Sequence, residues 1–547
     1  MSKLQTRSAT QLGWWRGPAE SVHSASGNLS EGLARVGRPL YVLDYGDAPA
    51  FSHDGRAELG VDQGGDGVPL LGVAPACRPR NLGSKSFARD HGVRFCYLAG
   101  AMANGIASAE LVEAMGRAGM LAFFGAAGLA PGPVEEAIDR ISTRLGDLPW
   151  GFNLIHSPYE PRLEEAVADL YVRRGVNRVS ASAYMGLTLP LVRYRLHGIH
   201  ADAAGRVIAP NRVVAKVSRV EVARKFLGPA PAKILAELVS RGDLTDEQAR
   251  MAESIPVAQD LTVEADSGGH TDNQPAIALL PTMLALRDRL QVEHGYAVPL
   301  RVGAAGGIST PHSVAAAFAM GVDYVVTGSV NQACREAGTS DPVRRMLADA
   351  EQADVTMAPA ADMFEMGVRL QVLKRGTMFP MRARRLYDLY RAHAGLEDIP
   401  DDERKNLEST IFRISLDDVW VETRRFWEQR DPAQVERAVC DPKHRMALVF
   451  RWYLGMSSRW ANRGEPGREM DYQVWCGPAM GAFNEWVRGS FLESWEGRRV
   501  VSVAHNMLYG AAVMTRANAL RSQGVEVPAD SVDVRPREAG KLEELMS

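Results

Sequence analysis

The stretch LRVGAAGGISTPHSVAAAFAMGVDYVVTGS, residues 300–329, has the pattern of a strand, a loop, a helix and a second strand. Its two short apolar runs, 300–305 and 323–328, have the length and composition of buried β-strands. Between them, a glycine pair and a Ser-Thr-Pro sequence precede an alanine-rich segment, which is how a loop commonly leads into a helix. This order predicts two parallel strands joined by a helix.

The same unit recurs along the chain. Six apolar runs precede this stretch, and each is followed by a turn signal: RFCYLA (94–99), MLAFFG (120–125), WGFNLI (150–155), RVSASA (178–183), RVVAKV (212–217) and LTVEA (261–265). Strands that alternate with helices predict an α/β protein with a parallel sheet. An open doubly wound sheet needs fewer units, so eight of them favour a (β/α)8 TIM barrel, which usually takes about 250 residues.

Composition shifts predict segments before, within and after the barrel. The predicted ranges are an N-terminal extension and linker (1–67), the barrel (68–340) with a helical insertion (228–260), a further helical segment (341–400) and a mainly helical C-terminal domain (401–547). Before residue 58 only RPLYVLDY (38–45) has a strand-like pattern. The C-terminal domain contains seven of the ten tryptophans, which are typical of packing contacts.

Bulk composition excludes several classes of protein. A net charge of −3 does not predict binding to nucleic acid, and no apolar run approaches the roughly 18 residues that span a bilayer. The first residues lack the apolar core of a secretory signal. The five cysteines are scattered and have no zinc-ligand spacing, so we predict reduced thiols, no metal site and a cytoplasmic location.

Glycines follow the last two predicted strands, where TIM barrels often bind phosphate groups. Gly306 and Gly307 come after the seventh strand, and Gly328 and Ser329 come after the eighth. Glycine allows backbone N–H groups to approach an anion closely, and helix N-termini carry partial positive charge. Each pair by itself is also compatible with a plain tight turn. Because both occur at the expected positions, the sequence predicts a phosphate site.

A histidine follows the sixth strand in EADSGGHTDN, residues 264–273. Gly268 and Gly269 permit a sharp turn, after which His270 is predicted to point into the barrel mouth. Its ordinary pKa, about 6.5, suits proton transfer near neutral pH. The alternative is a structural histidine bonded to Asp266 or Asp272.

Other candidates follow from position at strand ends. The loop after the first strand has small residues suited to the edge of a heterocycle: Ala101, Met102 and Ala103. Asn153 offers a donor and an acceptor at the third strand, or is a satisfied loop amide. Lys216, in an apolar strand, needs an anionic partner, which is either a ligand or Glu264 on the next strand.

Three of these motifs together resemble one superfamily. AGAMANGIASAELVEAMGRAGMLAFFGA (99–126), EADSGGHTDN and VGAAGGISTPHSVAAAFAMGVDYVVTGS (302–329) are similar to FMN-dependent nitronate monooxygenases and flavin-containing enoyl-acyl carrier protein reductases. MAPAADMFEMGVRLQVLKRGTMFP (357–380) and DYQVWCGPAMGAFNEWVRGSFLE (471–493) resemble the PfaD family, the trans-acting enoyl reductases of polyunsaturated fatty acid synthases and trans-acyltransferase polyketide synthases. The resemblance spans nearly the whole chain and marks segment 341–400 as family-specific.

The resemblance implies a cofactor and roles for the candidates. It implies FMN, with NADPH as hydride donor. The residues implied to bind FMN are Ala101, Met102, Ala103, Asn153, Lys216, Gly268, Gly269, Ala305, Gly306, Gly307, Gly328 and Ser329; those implied to act in catalysis are His270 and Lys216. At the first loop this chain has Gly100-Ala101-Met102, where many relatives have Ala-Pro-Met.

The function that the resemblance implies is reduction of an α,β-unsaturated acyl thioester on an acyl carrier protein. His270 is expected to assist protonation, and Lys216 to stabilise reduced flavin. The expected partners are carrier domains of a polyketide or polyunsaturated fatty acid synthase, with a homodimer possible. Arginine-rich surfaces could receive the carrier or be ordinary solvated charge: Arg382, Arg384, Arg385, Arg498 and Arg499. The alternatives are a nitronate monooxygenase-type flavin oxidoreductase and a non-catalytic synthase scaffold.

Overall fold

The computed structural model describes residues 11–24, 29–45, 49–60, 65–156 and 160–546. The chain divides into two compact units. The first contains residues 1–97, 309–325 and 486–547, and the second contains residues 98–308 and 326–485. The domain boundaries predicted from the sequence remain predictions.

The N-terminal part of the first unit is a six-stranded antiparallel sheet. Its strands are β1 (Gly13–Arg16), β2 (His23–Ser24), β3 (Leu40–Asp44), β4 (Pro49–Ser52), β5 (Arg56–Leu59) and β6 (Val68–Ala74), in the order β2-β4-β3-β6-β1-β5. Only β3 was predicted. The others are short, and β1 pairs Trp15 with Ala57, so its stability depends on a partner distant in sequence.

The first unit also packs segments from the N-terminal and C-terminal parts of the described chain against each other. Its helices include α1 (Leu29–Ala34), α2 (Lys85–His91), α11 (Pro311–Ala319), α20 (Val500–Ser522) and α21 (Ala539–Met546). The Tyr509 hydroxyl of α20 donates to the carbonyl of Ala34 at 3.1 Å. The Gln523 amide, just after α20, accepts from the backbone N–H of Val73 at 2.8 Å and donates to its carbonyl at 2.9 Å. Helix α20 therefore packs on the N-terminal sheet.

Eight parallel strands form a closed barrel, as predicted. They are β7 (Tyr97–Ala99), β8 (Leu121–Phe124), β9 (Gly151–Ile155), β10 (Arg178–Ser182), β13 (Arg212–Val217), β14 (Asp260–Glu264), β16 (Arg301–Ala305) and β17 (Tyr324–Thr327). Their order is β10-β13-β14-β16-β17-β7-β8-β9, which is the chain order closed into a ring. Residues at nearly every strand position are buried, as expected for strands covered on both faces. The ribbon β11 (His200–Ala201) and β12 (Val207–Ile208) lies outside the barrel.

Helices follow the strands in the expected alternation. They are α3 (Ala109–Arg117), α4 (Pro131–Leu145), α5 (Pro161–Arg173), α6 (Leu189–Leu196), α7 (Val220–Leu227), α8 (Ala232–Ser240), α9 (Asp246–Ala252), α10 (Ala276–His294) and α12 (Ser329–Gln332). Side chains cap several of them; Thr245 and Gln248, for example, form a reciprocal capping box at the start of α9. Helices α8 and α9 form the predicted helical insertion, and the predicted fold is confirmed.

A buried ion pair stands at the start of two neighbouring barrel strands. Asp260 opens β14, Arg301 opens β16, and the two residues are paired in register. The Arg301 guanidinium donates to the Asp260 carboxylate at 2.5 Å, and each side chain is only 1% exposed. The pair lies at the amino end of the strands, opposite the end where TIM barrels place their active sites.

The chain beyond the barrel adds a helical region and two strands, which form a small sheet with the loop after β14. Strands β15 (Gly269–His270), β18 (Val355–Pro359) and β19 (Arg369–Leu373) form an antiparallel sheet in the order β15-β19-β18. The helices are α13 (Asp341–Ala348), α14 (Phe379–Ala392), α15 (Asp401–Asn406), α16 (Leu416–Arg430), α17 (Pro432–Cys440), α18 (Pro442–Arg463) and α19 (Ala479–Val487). The sequence did not predict the β18–β19 hairpin. Across the described residues, every helix is too short or too polar to cross a bilayer.

Candidate active site

The glycine loops predicted to hold phosphate leave open space at the carboxyl ends of two neighbouring strands. Gly306 and Gly307 follow β16 with φ values of +79° and +74°, which favour glycine. A methyl group at Gly306 would lie 2.6 Å from the carbonyl of Ala265, whereas one at Gly307 would meet no atom within 4 Å. Gly328, after β17, faces open space in the same way. The space at Gly307 and Gly328 fits the oxygens of a phosphate group held by backbone N–H groups.

Two residues that flank these glycines are fixed by their neighbours. Ala305 is the last residue of β16, and its carbonyl accepts from the N–H of Ala265 at 2.9 Å. The Ser329 hydroxyl accepts from the backbone N–H of Gly477 at 3.3 Å, although Gly477 lies 148 residues later. The hydroxyl is therefore held in place by a segment beyond the barrel, which sequence reasoning did not connect with this loop.

The loop after β7 is a tight, half-buried turn. The carbonyl of Met102 accepts from Ala107 N–H at 3.1 Å, and it lies so close to Gly125 that any side chain there would collide with it. Asn104 has φ +57°, and its amide donates to the Ser458 hydroxyl at 3.1 Å. Ala101, Met102 and Ala103 remain partly accessible. This loop is compact although residues 100–105 contain no proline.

Asn153 lies within β9 and is 5% exposed. Its amide nitrogen donates to the carbonyl of Ser180 at 2.9 Å and to the hydroxyl of Ser182 at 3.1 Å. Both N–H groups are thereby engaged with the neighbouring strand β10. The contacts favour the satisfied amide over a donor for a ligand, and a ligand-binding role for Asn153 stays a prediction.

Lys216 has the carboxylate partner that the sequence left as an alternative. Its ammonium group donates to Glu264 Oε1 at 2.9 Å, from the end of β13 to the end of β14. The same carboxylate oxygen accepts from the Ser267 hydroxyl at 2.9 Å. A lysine–glutamate pair thus joins two strands at the rim and leads into the loop that carries His270.

Side chains on both sides of the loop from residue 265 to 275 hold it in place. Asp272 accepts from Arg219 at 3.0 and 3.1 Å and from the Ser218 hydroxyl at 2.5 Å. The Gln371 amide, on β19, donates to Asp266 Oδ1 and to the carbonyl of Ser267, both at 2.8 Å. These contacts fix the polypeptide on each side of His270.

The two glycines of this loop serve different purposes. Gly269 has φ +80°, which favours glycine. Gly268 lies against the backbone of Cys476 and Gly477, where an added methyl group would come within 3.0 Å. Gly268 is therefore needed for a close approach between backbone segments, a reason that the sequence did not disclose.

His270 bonds to neither of the aspartates that the sequence offered. Its Nε2 lies 3.0 Å from Oδ1 of Asp362, in the loop between β18 and β19. The backbone of His270 pairs with Leu370 of β19, so the same hairpin holds both its main chain and its side chain. Its side chain is 38% exposed. Sequence reasoning missed Asp362, whose only signal was a position within the family-specific segment.

The charge state of this pair follows from its surroundings. Removal from solvent disfavours an imidazolium, but the Asp362 carboxylate more than offsets this and raises the pKa of His270. Lys216 opposes the rise and Glu264 supports it, which places His270 within electrostatic reach of both. Burial works against the ionised Asp362, yet His270 lowers its pKa. The pair therefore favours imidazolium with carboxylate.

The arginines proposed for carrier docking divide into two groups. Arg498 is fully buried and donates to the carbonyls of Leu492 at 2.8 Å and Glu493 at 2.7 Å, so its proposed surface role is wrong. Arg382 pairs with the buried Asp471. The remaining three are exposed: Arg384, Arg385 and Arg499.

Comparison with known proteins places this arrangement in a family. The model of the nitronate monooxygenase family matches residues 90–383, from the first barrel strand through the β18–β19 hairpin. The enoyl reductase domain of MlnA, from the macrolactin biosynthesis cluster of Bacillus amyloliquefaciens, is 39% identical with a TM-score of 0.76, over 81% of this chain and 98% of that domain. The chain belongs to the PfaD-type enoyl reductase family. Membership confirms the predicted resemblance and implies a flavin, which the open glycine loops fit.

This PfaD-type chain spans only part of two further relatives. One polyunsaturated fatty acid synthase protein of Thraustochytrium sp. is 48% identical over 92% of this chain, and the polyketide biosynthesis protein PksE of Bacillus subtilis is 42% identical over 83%. The matched part is 34% of the length of the first and 58% of the second. Residues 393–472 also match the inserted helical domain of [acyl-carrier-protein] S-malonyltransferase.

Proposed function

We propose that this PfaD-type chain is a trans-acting, FMN-dependent enoyl reductase. Its substrate would be an α,β-unsaturated acyl thioester on an acyl carrier protein, and its hydride donor NADPH. The observation that carries the proposal is the placement of two features at the carboxyl end of one barrel. These are the open glycine loops at Gly307 and Gly328, and the His270–Asp362 pair.

The proposed FMN site uses the rim residues in separate roles. The phosphate would lie against Gly306, Gly307, Gly328 and Ser329, with open space beside Gly307 and Gly328. The isoalloxazine ring would lie over the partly accessible loop at Met102 and near the turn at Gly268 and Gly269. Bound FMN would supply hydride transfer, from NADPH to the β-carbon of the enoyl thioester.

The side chain proposed to move a proton is His270. Reduction of the double bond requires a proton at the α-carbon, and an imidazolium can donate one directly. Because Asp362 raises the pKa of His270, the charged form is more populated than in a free imidazole at the same pH. The Nε2 atom contacts Asp362, so Nδ1 is the atom left to face the substrate.

Lys216 is proposed to act through charge at the rim. Its ammonium group is partly neutralised by Glu264 at 2.9 Å, so it cannot supply a full isolated positive charge. We propose that Lys216 mainly orients the strand ends around the flavin ring, and that it contributes less to stabilising negative charge on the ring.

Carrier-bound substrates are supported by the relatives. Among them are proteins of polyunsaturated fatty acid synthesis and of polyketide biosynthesis, whose intermediates are proposed here as the source of the enoyl group. The helical region matches a domain of a transferase named for the acyl carrier protein. We propose carrier domains of such a synthase as partners.

Anaerobic stopped-flow absorbance tests the proposal. NADPH should bleach the flavin of the purified holoenzyme, and a carrier-bound enoyl thioester should restore the oxidised spectrum. His270→Gln should retain the first phase and slow the second by about 10²–10⁴-fold, the usual contribution of a general acid.

Two outcomes would contradict this function. Reoxidation by a nitronate but not by the enoyl thioester would support the nitronate monooxygenase alternative, which the matching family model makes the specific rival. A colourless protein that binds no flavin would support a scaffold.

A further inference from the structure

The β18–β19 hairpin brings an acidic side chain to the candidate active site from outside the barrel. Asp362 lies in the loop between these strands, 92 residues after His270, and its carboxylate is 3.0 Å from the imidazole Nε2. The hairpin also pairs with the His270 backbone, through Gly269 opposite Gln371 and His270 opposite Leu370. Main-chain pairing and the side-chain contact therefore come from a single element.

We propose that Asp362 is a positioning residue for His270: it fixes which imidazole nitrogen faces the barrel mouth and holds the ring in its charged form. This inference rests on the proposed function for the reaction in which the imidazole takes part, but the contact between Asp362 and His270 does not depend on that function. A carboxylate that accepts from one ring nitrogen leaves the other to exchange protons with a substrate. Nδ1 makes no hydrogen bond to any residue in the described ranges.

The contact is not replaced by another group on the same loop. Asp272 is held by Arg219 and Ser218, and Asp266 is held by Gln371 and Asn273. Both aspartates of the loop are thus committed to its fold. Asp362 is the carboxylate left for the imidazole among the described residues around it.

Three charged groups on three other elements face the pair and influence its titration. Lys216 on β13 disfavours the imidazolium, and Glu264 on β14 favours it. Arg451 on α18 faces Asp362 and favours the carboxylate, and Arg451 itself donates to Glu365 at 3.3 Å. Since Lys216 and Glu264 pair with each other, the Asp362 carboxylate is the charge that governs His270.

The test compares Asp362→Asn with Asp354→Asn as a matched control. Asp354 lies just before β18, in the same segment, and its carboxylate pairs with Arg375 at 3.0 Å. The control therefore removes a paired carboxylate without touching His270. The holoproteins are titrated by nitrogen NMR of labelled histidine, with the His270 signal assigned by its loss in His270→Gln.

The expected result is a His270 pKa above about 6.5 in the parent and in Asp354→Asn, and a lower value in Asp362→Asn. Enoyl-dependent reoxidation of reduced Asp362→Asn should slow at least about tenfold at pH 8 and recover towards pH 6, where the imidazolium forms without help. If Asp362 had a purely structural role, Asp362→Asn would slow reoxidation by the same factor at each pH.

Unchanged titration and an unchanged pH profile in Asp362→Asn would overturn the inference. If Asp362→Asn fails to fold while Asp354→Asn folds, the His270 pKa is measured instead in Asp362→Glu and in the parent. A His270 pKa at or below about 6.5 in the parent overturns the inference. If the parent reduces no enoyl thioester, the proposed function fails, while the NMR comparison still reports whether Asp362 controls His270.

Discussion

Replacement of Gly307 by alanine separates the cost of backbone strain from the loss of cofactor binding. Gly307 has φ +74°, and a methyl group there would meet no protein atom within 4 Å. Alanine in this conformation costs about 1–2 kcal/mol of folding stability. In the proposed site the methyl group also occupies the space of the phosphate. Overpacking of about 1–3 kcal/mol corresponds to FMN binding weakened roughly 5- to 150-fold.

The chain offers a matched control for this experiment. Gly242, after α8, has φ +77° and likewise has no atom within 4 Å of an added methyl group. Gly242→Ala should therefore lose similar stability as an apoprotein, measured by circular dichroism on heating, but keep the parent's FMN affinity, measured by quenching of flavin fluorescence. If Gly307→Ala binds FMN as tightly as Gly242→Ala does, the phosphate does not lie at this loop and the reasoning is refuted.

Three further predictions concern groups that the structure buries or pairs. Asp260→Ala should destabilise the protein by about 3–5 kcal/mol in urea unfolding, because it leaves the Arg301 charge buried, and a loss below about 1 kcal/mol would contradict this. Burial raises the pKa of Cys476 to about 12. At pH 8 a thiol reagent should therefore label the exposed Cys440 quickly and Cys476 only after unfolding. Rapid labelling of Cys476 in the native protein would be inconsistent with its burial. Because the pKa of His270 is raised, its ion pair with Asp362 stabilises the fold fully below about pH 6.5. This contribution is at most about 1 kcal/mol, since both side chains are partly exposed, and it disappears as the pH rises through the raised pKa. Thermal unfolding of the parent and of His270→Gln should therefore converge at high pH; a difference that grows with pH would contradict the assignment.

The barrel was predictable because its signals are local. Each strand is a short apolar run, several helices begin at a Ser or Thr cap or a proline, and the count of eight selects the closed ring. The N-terminal sheet was not, since strands such as β1 and β5 are stabilised by each other rather than by their own composition. The β18–β19 hairpin was missed for the same reason: its pairing with the two residues of β15 is a tertiary contact.

The candidate site shows the same division. Glycines at strand ends and a histidine after a glycine pair are visible in the sequence, because their positions follow from the barrel alone. The choice between the two partners of Lys216 was open until the structure placed the Glu264 carboxylate, on the next strand, 2.9 Å from its ammonium group. For Asn153, only the fold shows that its amide donates to β10, which favours a satisfied amide and leaves its ligand-binding role a prediction.

By itself, the sequence determined that this chain forms an eight-unit barrel of the PfaD type and which loops meet at the active-site end, because strand length and turn chemistry are encoded within a few residues. Only the tertiary structure decided which residues hold those loops in place and which carboxylate pairs with His270. Asp362, Gln371 and Gly477 reach the rim from segments about 90 to 210 residues further along the chain than the loop they contact. Contacts over such separations depend on how the whole chain packs, and no local pattern records them.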